Sequence, residues 1–150
     1  MKSFYLLSKK VAWGFLTGFF VFDSVVSYWA VVYKGGHEAN LIIAPLVEKF
    51  PLLYFLCIPA EIIICFGIVW VLAKAASVLL KSRELKKDII KRITLTSLVI
   101  YWAVANSSMN LAFLLGFRLP MESWVVTSFI GLAMALVYAA IAVGRHSEKI

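Results

Sequence analysis

Four stretches of this chain are long and oily enough to cross a bilayer, and that feature limits the folds open to it. They are residues 11–33, 52–80, 93–117 and 124–143. A helix needs about 20 apolar residues to span about 30 Å of hydrocarbon. Backbone N–H and C=O groups in lipid must be satisfied inside the protein, so an apolar run of that length becomes a helix. Composition agrees: 63% of the 150 residues are hydrophobic and mean hydropathy is +0.92, where soluble domains stand at about half apolar. The expected fold is all-α: a polytopic membrane protein of one domain, a bundle of four transmembrane helices over 11–33, 52–73, 93–117 and 124–143. The second run is too long for a simple span. Its last turns, near Lys74, should emerge among headgroups, where a lysine can snorkel.

The opening MKSFYLLSKK has the basic start of a signal peptide. The run after it is long, carries Asp23 and lacks a small-residue cleavage site, so an uncleaved first helix is expected. Cys57 and Cys65 lie eight residues apart in one apolar run. On a helix that is about 12 Å, beyond the roughly 7 Å reach of a disulfide.

Net charge is +7, and its placement sets the orientation. The N-terminal arm holds three of the 15 Lys and Arg residues, the region from Lys74 to Arg92 seven, and the tail two; the other two connections share three. By the positive-inside rule both termini and the KSRELKKDIIKR loop are cytoplasmic. Lys81, Arg83, Lys86, Lys87, Lys91 and Arg92 are then expected to contact anionic lipid headgroups. Nucleic acid is not an expected partner, because no aromatic side chains interleave these cations for base stacking.

The first outer connection, GGHEANLIIAPLVEKFP, sets Leu41, Ile42, Pro45, Leu46 and Phe50 among Glu38, Asn40, Glu48 and Lys49. That pattern suits a short helix lying in the outer interface, between helices 1 and 2. The third connection, RLPMES, is short, so helices 3 and 4 should be antiparallel neighbours.

Three spans each carry one strongly polar residue at a similar depth. Asp23 lies ten residues before Tyr33, Glu61 nine after Leu52 and Asn106 eleven before Phe117. At 1.5 Å per residue all are about 15 Å below the outer end. Ser27 stands one turn above Asp23, and Asn110 one turn above Asn106. A charge at mid-membrane costs about 2.5–3.5 kcal/mol on insertion scales, so the two acids should point into the bundle and take hydrogen bonds from Asn106 and Asn110. Three uses of such a layer stay open: a polar tie between helices, a proton or cation path, or a buried headgroup, metal or catalytic site. His37, Glu38 and Asn40 form either a polar outer turn or an ion-collecting mouth above the acids.

No catalytic residue, cofactor or metal is assigned. The sequence lacks a paired-histidine metal motif, a nucleophile elbow and a glycine-rich phosphate loop. Cys57, Glu61 and Cys65 form a stripe that could in principle take a soft metal, but buried Cys commonly serves as a small hydrophobe.

The segment from Asp23 to Leu41 resembles a pattern in small prokaryotic four-helix membrane proteins of uncharacterised function. There an Asp in the first helix is followed by hydroxyl residues three and four positions on, then Gly-x-x-Glu-x-Asn-Pro. Here the pattern reads Asp23, Ser27, Gly35, Glu38 and Asn40, with Val26 in place of the first hydroxyl and Leu41 in place of the proline. The resemblance implies joint action of Asp23, Glu38 and Asn40, and a prokaryotic plasma membrane; it implies no activity. The leading functional expectation is a small non-catalytic accessory subunit packing beside other membrane subunits or copies of itself. The alternatives are a proton- or cation-coupled transporter or channel using Asp23 and Glu61, and an intramembrane enzyme acting on lipid.

Overall fold

The computed structural model describes residues 5–35, 43–79, 87–117 and 120–147. Their regular structure is helical, with no strand among the described residues. Helix α1 covers Lys9–Lys34 and α2 is one turn, Ala44–Val47. A 3-10 turn at Pro51–Leu53 leads into α3, Tyr54–Leu79. Helix α4, Lys87–Trp102, passes through a π turn at Ala103–Ser107 into α5, Ser108–Leu114. Helix α6 covers Met121–Ser147.

Among the described residues, four stretches are long and apolar enough to cross a membrane: Lys9–Lys34, Pro51–Ala76, Lys87–Leu114 and Glu122–His146. Helix runs past the apolar runs at several ends because hydropathy marks the oily part only, whereas capping marks where the hydrogen-bond ladder stops. The Ser8 hydroxyl accepts from the Val11 N–H at 3.3 Å and starts α1. Gly35, at φ 61°, ends it by donating its N–H to the Ala30 carbonyl. Gly116, at φ 87°, closes the end of α5 in the same left-handed region. A side chain there would be strained, which is why glycine stands at both turns.

Of the interfacial helix expected before Pro51, residues 36–42 lie outside the described residues. The described part is the single turn α2, and it tucks Val47 to 1% exposure rather than lying wholly on the surface. Lysines near span ends sit over aromatic rings: Lys34 over Trp29 at 4.9 Å and Lys74 over Trp70 at 5.2 Å. Such pairs suit an interface where a stem is apolar and a head is wet.

Helices α1, α3 and α4 pack against one another, while α6 packs along α4 and the π turn. One buried cluster, including Leu16, Phe20, Cys65 and Leu95, joins the first three helices. A second joins Ala73 of α3, Ile90 and Ile93 of α4, and Ala142 of α6. The α6 face toward α4 is built of small residues. A methyl group placed on Gly131 would meet the Tyr101 carbonyl oxygen at 3.1 Å and the Ala105 nitrogen at 3.3 Å. Ala135 and Ala142 continue that stripe, buried at 6% and 0% exposure. Without an aqueous driving force, helices in lipid gain by backbone approach of this kind. The opposite faces of α3 and α6 expose Ile63, Phe66, Trp70, Phe129, Ile130 and Leu136. Those faces suit acyl chains, not water.

Candidate functional site: a polar layer across the helices

Ring contacts fix the register of α1 against α3. Tyr28 meets Phe55 at 5.4 Å, and Trp13 meets Phe66 at 6.4 Å, so the two helices run antiparallel. Asp23 lies five residues from Tyr28, and Glu61 six from Phe55. At 1.5 Å per residue they stand about 7.5 and 9 Å below that aromatic pair, on one level to within half a turn.

The floor of the layer is the edge-to-face contact of Phe20 with Trp102, ring centroids 4.9 Å apart. The Cys65 thiol also lies against Trp102. Asp23 is three residues beyond Phe20, Glu61 four before Cys65, and Asn106 four beyond Trp102. In each helix this is about one turn, in the direction of Gly35 and Gly116.

Asn110 donates its side-chain N–H to Asp23 Oδ1, joining α1 to α5. Both groups are half-buried. The sequence places Asn106 and Asn110 on one face of a regular helix, but the π turn at Ala103–Ser107 holds Asn106 and changes the winding between them. A π turn takes in one extra residue and re-aims the side chains beyond it. Asn110 is the amide set on Asp23; Asn106 sits inside the turn beside buried Ala105. Glu61 is half-buried, and its Oε2 is closed off from solvent. Ser27 is half-buried on α1.

Sequence reasoning missed three hydroxyls. Ser24, next to Asp23, is only 2% exposed. On α6, Thr127 Oγ1 lies 3.3 Å from the Ala105 carbonyl and 3.0 Å from the Ser123 carbonyl of its own helix. Its one proton serves one of them at a time. Ser128 Oγ is buried with no hydrogen-bond partner among the described residues. Hydroxyls in an apolar run were the available signal, and they are weak because Ser and Thr commonly fold back on their own helix. Ser97 does so here, donating to the Ile93 carbonyl at 2.9 Å.

His37, Glu38 and Asn40 lie outside the described residues, as do Lys81, Arg83 and Lys86. Lys87 is exposed and Lys91 half-buried at the start of α4. Arg92 turns to the chain itself. Its Nε donates to the Leu7 carbonyl at 3.0 Å and its Nη2 to the Leu6 carbonyl at 2.8 Å.

Among the described residues, no three of the His, Cys, Asp and Glu side chains gather closely enough to hold a metal ion. A groove lined by Val11, Gly14, Phe15, Gly18 and Phe19 runs along the free face of α1. It is open and apolar, and neither acid lines it. Chemically, the layer can tie helices through a side-chain hydrogen bond between Asn110 and Asp23. No family model, curated protein or solved structure matches this chain.

Proposed function

We propose that this chain is a small non-catalytic integral membrane protein acting as an accessory subunit, packed beside larger membrane partners or copies of itself. The observation that carries this reading is the Asp23–Asn110 bond. The layer's acid on α1 is engaged by a neighbouring helix, as a register-setting tie requires. The broad apolar faces of α3 and α6 suit lateral contacts within a bilayer. In this reading both termini are cytoplasmic, the membrane is a prokaryotic plasma membrane, and Lys87 and Lys91, with Lys81, Arg83 and Lys86, meet anionic headgroups.

Gentle native purification followed by mass spectrometry tests the proposal. A stoichiometric membrane partner, or a defined oligomer whose packing survives Asp23→Asn, is the expected result. A lone monomer that moves protons or cations in proteoliposomes would overturn it.

A second reading has its own support. Glu61 Oε2 is enclosed on the level of Asp23, and intramembrane acids commonly serve ion or proton movement. Under this reading Asp23→Asn or Glu61→Gln abolishes flux in proteoliposomes while helicity is kept. The same variants leave an accessory subunit working.

A further inference from the structure

We infer that residues 5–8, the arm before α1, form a latch that couples α6 to the other helices. Two adjacent side chains of this arm enter two different cores. Leu7 packs against the cluster of α1, α3 and α4, which includes Leu16 and Phe20. Leu6 packs against the cluster around Ile90, Ile93 and Ala142, which includes the last turns of α6. In an extended segment successive side chains point to opposite sides, so one dipeptide reaches both cores.

The backbone of the arm is gripped along the same stretch. Arg92 holds the Leu6 and Leu7 carbonyls with two arms of one guanidinium. The Leu7 N–H donates to Thr96 Oγ1 at 3.3 Å, and that hydroxyl donates to the Arg92 carbonyl at 2.8 Å. Beside Thr96, the Tyr138 hydroxyl of α6 donates to the Tyr5 carbonyl at 2.8 Å. Lys9 pairs with Asp88, tying the first turn of α1 to that of α4. Three side chains from two helices, α4 and α6, thus grip consecutive peptide groups of Tyr5–Leu7.

The arrangement matters because α6 packs chiefly on α4 and the π turn. The arm gives the far end of α6 a route to α1. With the arm seated, α6 is held at its last turns from both sides; with it lifted, those turns keep their packing on Ala73, Ile90 and Ile93 alone. The latch and the polar layer lie at different levels, so one can open without the other.

Hydrogen–deuterium exchange of the full chain in lipid nanodiscs tests this. Tyr138→Phe removes one hydroxyl and Arg92→Gln two guanidinium bonds. Each should speed exchange in segment 5–9 and, together with it, in segment 138–147, by about threefold and about tenfold respectively. Segment 20–30, which holds Asp23, should exchange as in the parent. Acceleration confined to segment 5–9 would overturn the proposal, because the arm would then be a passenger. So would no change in either segment. If Arg92→Gln loosens every segment, Tyr138→Phe alone decides, since the loss of a hydroxyl from an already wet position leaves the fold in place.

Discussion

The chain joins its helices in two different ways. Between α1 and its neighbours α3, α4 and α5 the contacts are large rings and two polar ties: Phe20 on Trp102, Tyr28 on Phe55, Trp29 on Phe113, Asn110 on Asp23, and Lys9 with Asp88. Between α4 and α6 they are small residues and backbone: Gly131, Ala135 and Ala142 against Tyr101, Ala105 and Ile93. The first kind fills the space between helices with large side chains. The second works only if the axes come close. A substitution that adds atoms should therefore harm the α4–α6 seam most, and one that removes atoms should harm the three-helix cluster most.

The sharpest break of this comparison is Gly131→Val. The first added carbon already falls 3.1 Å from a backbone oxygen and 3.3 Å from a backbone nitrogen. Neither can swing away as a side-chain tip would. The pairing of α6 with α4 should weaken by about 3 kcal/mol, the upper part of the range for overpacking. Steric trapping in bicelles measures it. A loss under about 1 kcal/mol would mean that α6 is held elsewhere.

Next in size is Phe20→Ala, which empties the centre of the three-helix cluster, where Phe20 is fully buried. A water-soluble core would lose about 3–5 kcal/mol. In the proposed bilayer setting lipid, not water, meets the unpacked ring, so only lost contacts and the cavity count, and about 2 kcal/mol is expected. The comparison sharpens if this variant leaves the α4–α6 pairing intact while Gly131→Val leaves the Phe20 cluster intact. Equal damage to both regions from either variant would mean that the bundle is one cooperative unit.

The four helices were legible in the sequence because hydropathy is a local property; which rings would meet, such as Phe20 on Trp102, was not. Asp23 and Glu61 were legible as a layer because each could be counted from a helix end. The π turn was not. Residues 103–107 read AVANS, and nothing in that pentapeptide distinguishes an extra residue in the winding from a regular turn. What surrounds the turn comes from far along the chain: α6 brings Gly131 close to Ala105 and the Thr127 hydroxyl to the Ala105 carbonyl. Arg92 went the same way. Its charge suggested a headgroup, yet its geometry answers to carbonyls 85 and 86 positions away in sequence. What could not be read was long-range and depended on backbone positions, not on residue type.

The tie between α1 and α5 makes a smaller test. Asp23→Leu combined with Asn110→Leu in a double-mutant cycle should give a coupling of about 1 kcal/mol, within the range measured for hydrogen bonds inside membranes. Asp23→Asn should change stability by less than about 0.5 kcal/mol, since its amide oxygen still accepts from Asn110. A coupling near zero would remove the bond from any account of helix register. The proposed subunit role would then rest on the apolar faces alone.

The smallest effect expected is at Thr127, and it probes the seam from its polar side. Valine has nearly the same shape, so Thr127→Val removes the hydroxyl while sparing the packing. If close backbone approach alone holds α6, the change should be about 0.3 kcal/mol, because the Thr127 proton already has a carbonyl on its own helix at 3.0 Å and its release costs little. If the Ala105 carbonyl, displaced by the π turn, depends on that proton, the loss should reach about 1 kcal/mol and match the Asp23–Asn110 coupling. Unfolding of parent and variant under the same detergent titration separates the two values. The larger one would mean that the α4–α6 seam, like the α1–α5 pair, is fixed by a hydrogen bond between helices, and the contrast between the two regions would reduce to size of side chain alone.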